Sequence, residues 1–104
     1  MQFHVKHVQW DQPGSASVLE HYAKDPKYRA ATTPGSILSA RFHGRVVRLS
    51  LEAHKDGISY AKVIAIIDAT SSERQQSFDG LDVGDLVALP DDMRAFEPMR
   101  AKDD

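Results

Sequence analysis

The longest regular pattern of apolar and polar residues in the chain lies over 36–68. Apolar and polar side chains alternate there in consecutive runs, and a period of two is typical of a half-buried β-strand. Two short breaks, His43-Gly44 and Lys55-Asp56-Gly57, separate the runs. Glycine supplies the positive φ of a tight hairpin loop, and Asp-Gly is a strong hairpin signal. The pattern therefore predicts three consecutive antiparallel strands, a β-meander.

The first hairpin has one register that keeps its apolar residues together. A two-residue loop places Ala40 opposite Val47 and Leu38 opposite Leu49. A slip of one residue would set apolar against polar side chains along the whole pair. The predicted register therefore has a continuous apolar face across both strands.

The second hairpin leaves two registers open. A two-residue loop places Leu49 opposite Ile64 and Val47 opposite Ile66, whereas a three-residue loop places Leu49 opposite Val63. The third strand is apolar on both faces, so its pattern cannot decide between them. We favour the two-residue loop because it buries the larger isoleucines. The two-sided apolarity also predicts cover on both faces, by a helix, by closure of a barrel or by a partner chain.

The N-terminal part predicts a strand followed by a short helix. Residues 2–10 have large apolar side chains on both faces, including Trp10, which we expect at the core or its rim. Ser15 or Ser17 can begin the helix, and Ser17 with Glu20 has the spacing of a capping box. The helix should end by Lys24 or Asp25, because the residue before a proline disfavours helical geometry.

The part after the meander predicts a polar mobile loop at 69–80 held by Phe78, a last strand at 81–90, and a short turn with a frayed tail at 91–104. The lead into the last strand, Leu-x-x-Gly-Asp-x-Val, resembles that of a late strand in many small β-barrels, SH3-like and OB-like alike. With 1–34 as strand and helix and 35–68 as the meander, we expect one domain.

The predicted fold class is α+β and mainly β. It is a curved antiparallel sheet of about five strands with one short helix after the first strand. A partly closed SH3-like or OB-like small barrel is favoured over an open sheet with a docked helix.

Composition narrows the functional classes only slightly. Thirteen basic and fifteen acidic residues give a formal net charge of −2, which argues against a strongly basic nucleic-acid binder but allows a local basic patch. The lack of cysteine excludes disulfides, thiolate catalysis and cysteine-based zinc sites. The longest apolar run, 63–67, is far shorter than the ~20 residues of a membrane-spanning helix. We therefore expect a cytoplasmic protein with no membrane contact.

Candidate catalytic and metal-binding motifs are weak. The five histidines show no ligand spacing, and His43 and His54 lie at opposite ends of one predicted strand, so we expect no metal site. Neither a Gly-x-Ser-x-Gly motif nor a phosphate-binding glycine loop occurs. We expect no cofactor, and an enzyme is the less favoured class. A ligand or metal bound in a concave site beside His43 or Glu52 would favour an enzyme.

The polar face of the meander carries the candidate binding residues: Ser39, Arg41, Arg48 and, near the first turn, His43 and Arg45. Guanidinium groups can hold carboxylate or phosphate with two parallel hydrogen bonds. We therefore predict a small non-enzymatic binding or adaptor module that docks a protein. Binding of a nucleic-acid backbone by the same arginines is the alternative, and the simplest interpretation is an ordinary solvated face. The apolar N-terminal strand also predicts a homo-oligomer, because an unpaired strand edge favours self-association.

Overall fold

The computed structural model describes residues 5–23, 33–68 and 70–96, with the backbone alone over 21–23. Its strands are β1 (Lys6–His7), β2 (Ile37–Phe42), β3 (Arg45–Lys55), β4 (Ile58–Asp68), β5 (Arg74–Gln75), β6 (Ser77–Phe78), β7 (Leu81–Asp82) and β8 (Leu86–Pro90). Its helical elements are α1 (Val18–Ala23) and two 3-10 turns, Gly14–Ala16 and Asp91–Met93. The fold is mainly β with one short helix, as the sequence predicts.

The meander of β2, β3 and β4 is confirmed, with two-residue loops at both of its turns. His43, Gly44, Asp56 and Gly57 all have positive φ. Positive φ at both central residues is typical of a type I′ turn, whose twist matches that of the flanking strands. The predicted pairs of the first hairpin, Ala40 with Val47 and Leu38 with Leu49, are also found.

The sheet around the meander is mixed, with strand order β1-β8-β4-β3-β2 and β5 paired to β4. β8 is antiparallel to β4, whereas β1 is parallel to β8, so the prediction of a purely antiparallel sheet is wrong at this edge. A parallel pair needs a long crossover connection, and here the helix and the meander together separate β1 from β8. β6 and β7 form a separate hairpin.

The other edge of the sheet, β2, is covered by the segment that follows the second 3-10 turn. The N–H of Ala95 donates to the carbonyl of Ser39 at 2.9 Å, and Arg94 forms an isolated bridge with Ala40. A further bridge joins Ala95 to Ser17, just before α1. The sheet curls back on itself through these bridges, but its described strands do not form the ladder of a closed barrel.

The short helix begins where the sequence predicts. The hydroxyl of Ser17 accepts a hydrogen bond from the N–H of Glu20 at 3.2 Å, which satisfies one of the free donors at a helix N-terminus. The predicted end at Lys24 or Asp25 lies outside the described residues.

The pairing of β3 with β4 contains two register shifts and combines both candidate registers. Val47 pairs with Ile66, as favoured, but Leu49 pairs with Val63 and not with Ile64. The register shifts at Glu52 on β3 and returns at Ile64 on β4. Between these two β-bulges Leu51 pairs with Ala61, and Ser50 instead of Leu51 pairs with Lys62. Ile64 is left unpaired and is 40% exposed.

Both faces of β4 contribute buried residues. Val63 and Ile66 belong to the main core with Leu49, Leu51 and Leu89, while Val46, Ala65 and Ile67 form a smaller cluster. This agrees with the predicted cover on both faces. Trp10 is also buried in the main core, and its Nε1–H donates to the carbonyl of Ala88 at 2.9 Å.

In the described part of the chain, no helix has the length and apolar character that crossing a membrane requires.

Candidate functional site

The five predicted binding residues fall into two groups. Residues directly opposite each other in paired strands share a face of the sheet. Ser39 pairs with Arg48, and Arg41 pairs with Val46, so Ser39, Arg41 and Arg48 share the face opposite the main core. We call this the outer face.

Arg45 lies on the other side of the sheet. It pairs with the core residue Phe42, so it cannot extend the outer face as the sequence suggested. Its Nε–H donates to Gln75 at 2.9 Å, and its guanidinium lies 3.6 Å from a carboxylate oxygen of Asp68. The same group lies 4.2 Å above the ring of Phe78, a cation–π geometry. Arg45 thus holds β5 and β6 against the meander.

Phe78 anchors the segment after the meander, as predicted. Its ring meets that of Phe42 edge-on, with centroids 6.1 Å apart, and it packs against the main core. The segment predicted as a loop, 69–80, contains the two short strands β5 and β6.

Arg41 is held by the C-terminal segment. It is half-buried, and its Nη2 donates to the carbonyl of Phe96 at 2.7 Å. Its Nε is buried with no acceptor in the described structure. Arg48 is half-buried as well and interacts within the chain. Neither arginine is therefore the fully exposed cation that the sequence suggested.

The exposed part of the outer face lies toward the start of β2. Ile37 pairs with Ser50, which pairs with Lys62. Ile37 is 56% exposed and Ile64 40% exposed, and Lys62 is exposed between them along the sheet. We call Ile37, Arg48, Ser50, Lys62 and Ile64 the outer patch. It combines two exposed isoleucines with cations and contains no carboxylate.

His43 lies in the turn at the other end of β2 and lines a concave surface. Its ring stacks on that of Phe42, with centroids 4.1 Å apart, and its Nδ1 contacts the carboxylate of Asp79. Both residues are the first of a two-residue turn and have positive φ, 47° for His43 and 53° for Asp79. Histidine and aspartate tolerate this conformation better than most residues. Two hairpin turns from different parts of the chain therefore meet through their side chains.

A cleft of 260 Å³ opens beside this pair. Its apolar lining comes from Val8, Phe42 and Leu81, and its polar lining includes Lys6. The ammonium of Lys6 donates to the carbonyl of Gly80 at 2.8 Å and to the carboxylate of Asp85 at 2.7 Å. We call this region, with the His43–Asp79 pair, the open end of the sheet.

A different polar cluster occupies the other end of β3. His54 Nε2 lies 3.0 Å and 3.2 Å from the two carboxylate oxygens of Asp91. Arg94, whose side chain is 3% exposed, lies 3.7 Å from the same carboxylate and donates to the hydroxyl of Ser59 at 2.6 Å. We call His54, Ser59, Asp91 and Arg94 the closed end.

The alternation that places Leu49 and Leu51 in the core would put His54 on the polar face of the sheet. His54 pairs with the buried Ser59, so it shares the face of the main core. The β-bulge at Glu52 explains the difference, because an extra residue reverses which side chains point to which face. The same bulge leaves Ala53 exposed, although the alternation places it in the core.

Two carboxylates near the open end have shifted pKa values. The N–H groups of Thr70 and Ser71 lower the pKa of Asp68, with a smaller contribution from the charge of Arg45. Burial of Asp85 acts to raise its pKa, but the hydrogen bond from Lys6, the N–H of Asp82 and the charge of Lys6 together lower it. Both groups therefore favour the ionised form in the folded chain.

Within 5–23, 33–68 and 70–96, no three histidine, aspartate or glutamate side chains are placed to share a metal ion. Ser59, which lies in the cluster with a histidine and an aspartate, is completely buried and bonded to Arg94, so it is not placed to attack a substrate. The chemistry of the open end is that of hydrogen-bond acceptors beside an apolar surface.

The cleft could have been found in part from the sequence. Asp79-Gly80, between Phe78 and Leu81, is the same Asp-Gly hairpin signal that predicts the second meander turn. The closeness of that turn to His43 has no local signal, because the two lie far apart in the chain.

Comparison with known proteins adds no relative: no family model, no curated protein and no solved structure matches this chain.

Proposed function

We propose that this chain is a small non-enzymatic binding module that docks a protein through the outer patch. The observation that carries the proposal is the pair of exposed isoleucines, Ile37 on β2 and Ile64 at a β-bulge of β4, close in sequence to the exposed Lys62 on β4. Exposed apolar side chains bordered by polar ones are typical of interaction sites. The matching partner surface is apolar at its centre and acidic at its rim.

The contacts that Arg41 and Arg45 make within the chain favour a protein partner over a nucleic-acid backbone. Binding to phosphates draws on several exposed cations at once. Arg45 is engaged by Asp68 and Gln75, and Arg41 donates to the carbonyl of Phe96. The net charge of −2 points the same way.

Self-association remains a separate prediction with a narrower basis. β1 lies at one end of the described strand order, so a second copy could pair there. Trp10 is buried in the main core of its own chain, however, and Val8 packs against that core. Two of the apolar residues that suggested an oligomer are therefore already used within one copy.

The test of the outer patch uses a double variant, Ile37→Ser with Lys62→Glu. Both side chains are exposed, so the fold should survive. The matched control, Leu19→Ser with Lys55→Glu, makes the same chemical changes at exposed residues elsewhere. Arg41→Glu is unsuitable because it would break the contact with Phe96.

The immobilised parent chain and both variants are compared for proteins retained from an extract of the native host, and the binding is then repeated with each purified candidate. We expect one protein to bind the parent and the control with equal affinity and the patch variant at least tenfold more weakly. Equal binding by the patch variant would show that this surface is only solvated. Loss of oligonucleotide binding by the patch variant, with steep weakening between ~50 and ~200 mM salt, would support the nucleic-acid alternative instead.

A further inference from the structure

The cleft at the open end has the size of a site for one side chain. Its volume is 260 Å³, below the ~300–1,000 Å³ of pockets that enclose drug-sized ligands. It lies between the β1 segment and two type I′ turns, one at His43 and one at Asp79.

The floor of the cleft is apolar and partly aromatic. Phe42 and Leu81 are buried members of the main core, and Val8 packs against them. Phe42 and Leu81 are only 5% and 1% exposed, so an apolar group in the cleft contacts mainly the half-buried Val8 and the edge of the core. An aromatic ring suits such a site because it gains contact area with little loss of side-chain freedom.

The rim of the cleft supplies hydrogen-bond acceptors. An ionised carboxylate only accepts, so His43 Nδ1 donates to Asp79, and the remaining lone pairs of that carboxylate can accept from a ligand. Asp79 is 55% exposed and His43 44% exposed. Lys6 is already paired with Asp85 and with the carbonyl of Gly80. A ligand at this rim is therefore favoured when it brings a donor.

We propose that this cleft binds a tyrosine or tryptophan side chain of a protein partner. The ring enters the cleft beside Val8, above the buried Phe42 and Leu81, and its O–H or N–H donates to the Asp79 carboxylate. Such aromatic residues with a polar tip are the usual anchors of protein interfaces. This site shares no residue with the outer patch, so it does not depend on the function proposed for that surface.

The experiment titrates the isotope-labelled chain with N-acetyl-tyrosinamide and N-acetyl-phenylalaninamide, which differ by one hydroxyl, and follows backbone amide resonances by NMR. We expect saturable shifts at His43, Gly80 and Leu81 with the tyrosine compound. The phenylalanine compound should bind about tenfold more weakly, the effect of one hydrogen bond to a charged acceptor.

Asp79→Gly removes the carboxylate and keeps a residue that tolerates positive φ. It should reduce binding of the tyrosine compound to the level of the phenylalanine compound. Asp56→Gly is the matched control, because Asp56 begins another type I′ turn with φ of 55° outside the cleft lining. That variant should bind as the parent does.

Three results would overturn the proposal: no saturable shift at these residues with the tyrosine compound, equal affinity of the parent for both compounds, or equal loss in the Asp79→Gly and Asp56→Gly variants. The comparison of the two compounds uses the unaltered chain, so it decides the question even if Asp79→Gly disturbs the β6–β7 hairpin.

Discussion

Two histidine–aspartate pairs stand at opposite ends of β3, and their surroundings differ. At the closed end, His54 and Asp91 are 21% and 29% exposed and are backed by the buried Arg94 and by Ser59. At the open end, His43 and Asp79 are 44% and 55% exposed and border a cleft. The same two residue types therefore stabilise the fold in one place and remain accessible in the other.

The difference follows from what each pair connects. The closed end joins the second meander turn to the 3-10 turn Asp91–Met93, since the N–H of Asp91 also donates to the carbonyl of Gly57 at 2.9 Å. That 3-10 turn in turn places Arg94 and Ala95 along the edge of β2. The His43–Asp79 pair joins the first meander turn to the turn between β6 and β7. The closed end therefore fixes the segment that covers β2 as well as two turns, whereas the His43–Asp79 pair connects two turns.

The largest effect should come from Arg94→Met, which breaks the closed end. The substitution retains an apolar chain of similar length but removes the guanidinium from Ser59 and Asp91. We expect a loss of about 2–3 kcal/mol in the free energy of unfolding, because a buried hydroxyl and a partly buried carboxylate lose their partner. Urea denaturation measures it.

The control is Arg74→Met on β5, where the arginine is exposed. It should change stability by less than about 0.5 kcal/mol. If Arg94→Met unfolds at the same urea concentration as the parent, the closed end does not stabilise the fold.

A smaller effect is expected from Gly57→Val at the turn beside the closed end. Gly57 has φ of 77°, and a β-branched residue is strained in that conformation by about 1–2 kcal/mol. Nothing lies within 4 Å of the position that a Cβ would occupy, so the cost comes from the backbone and not from a clash.

Gly57→Asn serves as its control, since asparagine tolerates positive φ. Thermal unfolding should show a clearly lower midpoint for the valine variant than for the asparagine variant. Equal midpoints would mean that the turn relaxes to accept valine. The positive φ at Gly57 would then not be needed to hold the turn beside the closed end.

The smallest effect is the pH dependence at the open end. Asp68 and Asp85 have folded-state pKa values below the ordinary value of 3.8. The unfolded chain therefore binds more protons as the pH falls through that value, and the stability that these groups contribute above it is lost toward their lower folded pKa values. The Asp68→Asn, Asp85→Asn double variant should show a shallower fall in urea midpoint between about pH 5 and about pH 3 than the parent. An equally steep fall in the urea midpoint would show that other carboxylates cause the loss of stability in acid.

Local patterns in the sequence predict the meander. The structural features that these patterns do not predict depend on contacts between residues far apart in the chain. Alternation and glycine turns act over a few residues, so the strands of the meander, the register of the first hairpin and the cap at Ser17 could be predicted. The compensating bulges at Glu52 and Ile64 could not, because a strand that is apolar on both faces accepts either register.

The candidate sites depend almost entirely on distant contacts. Arg94 meets Ser59 across 35 residues, and His43 meets Asp79 across 36. Neither contact leaves a local pattern in the chain. The sequence correctly placed Arg41 and Arg48 on one face but could not show that Arg41 binds the carbonyl of Phe96.

The most direct test of the difference between the two ends is a pair of double-mutant cycles. One cycle combines His54→Ala with Asp91→Ala, and the other combines His43→Gly with Asp79→Gly, where glycine keeps the positive φ. Coupling energies are obtained from urea denaturation of the single and double variants. We expect about 1–2 kcal/mol of coupling at the closed end and less than about 0.5 kcal/mol at the open end, because exposed pairs contribute little. Equal coupling, or stronger coupling between His43 and Asp79, would contradict the assignment of one end to stability and the other to binding.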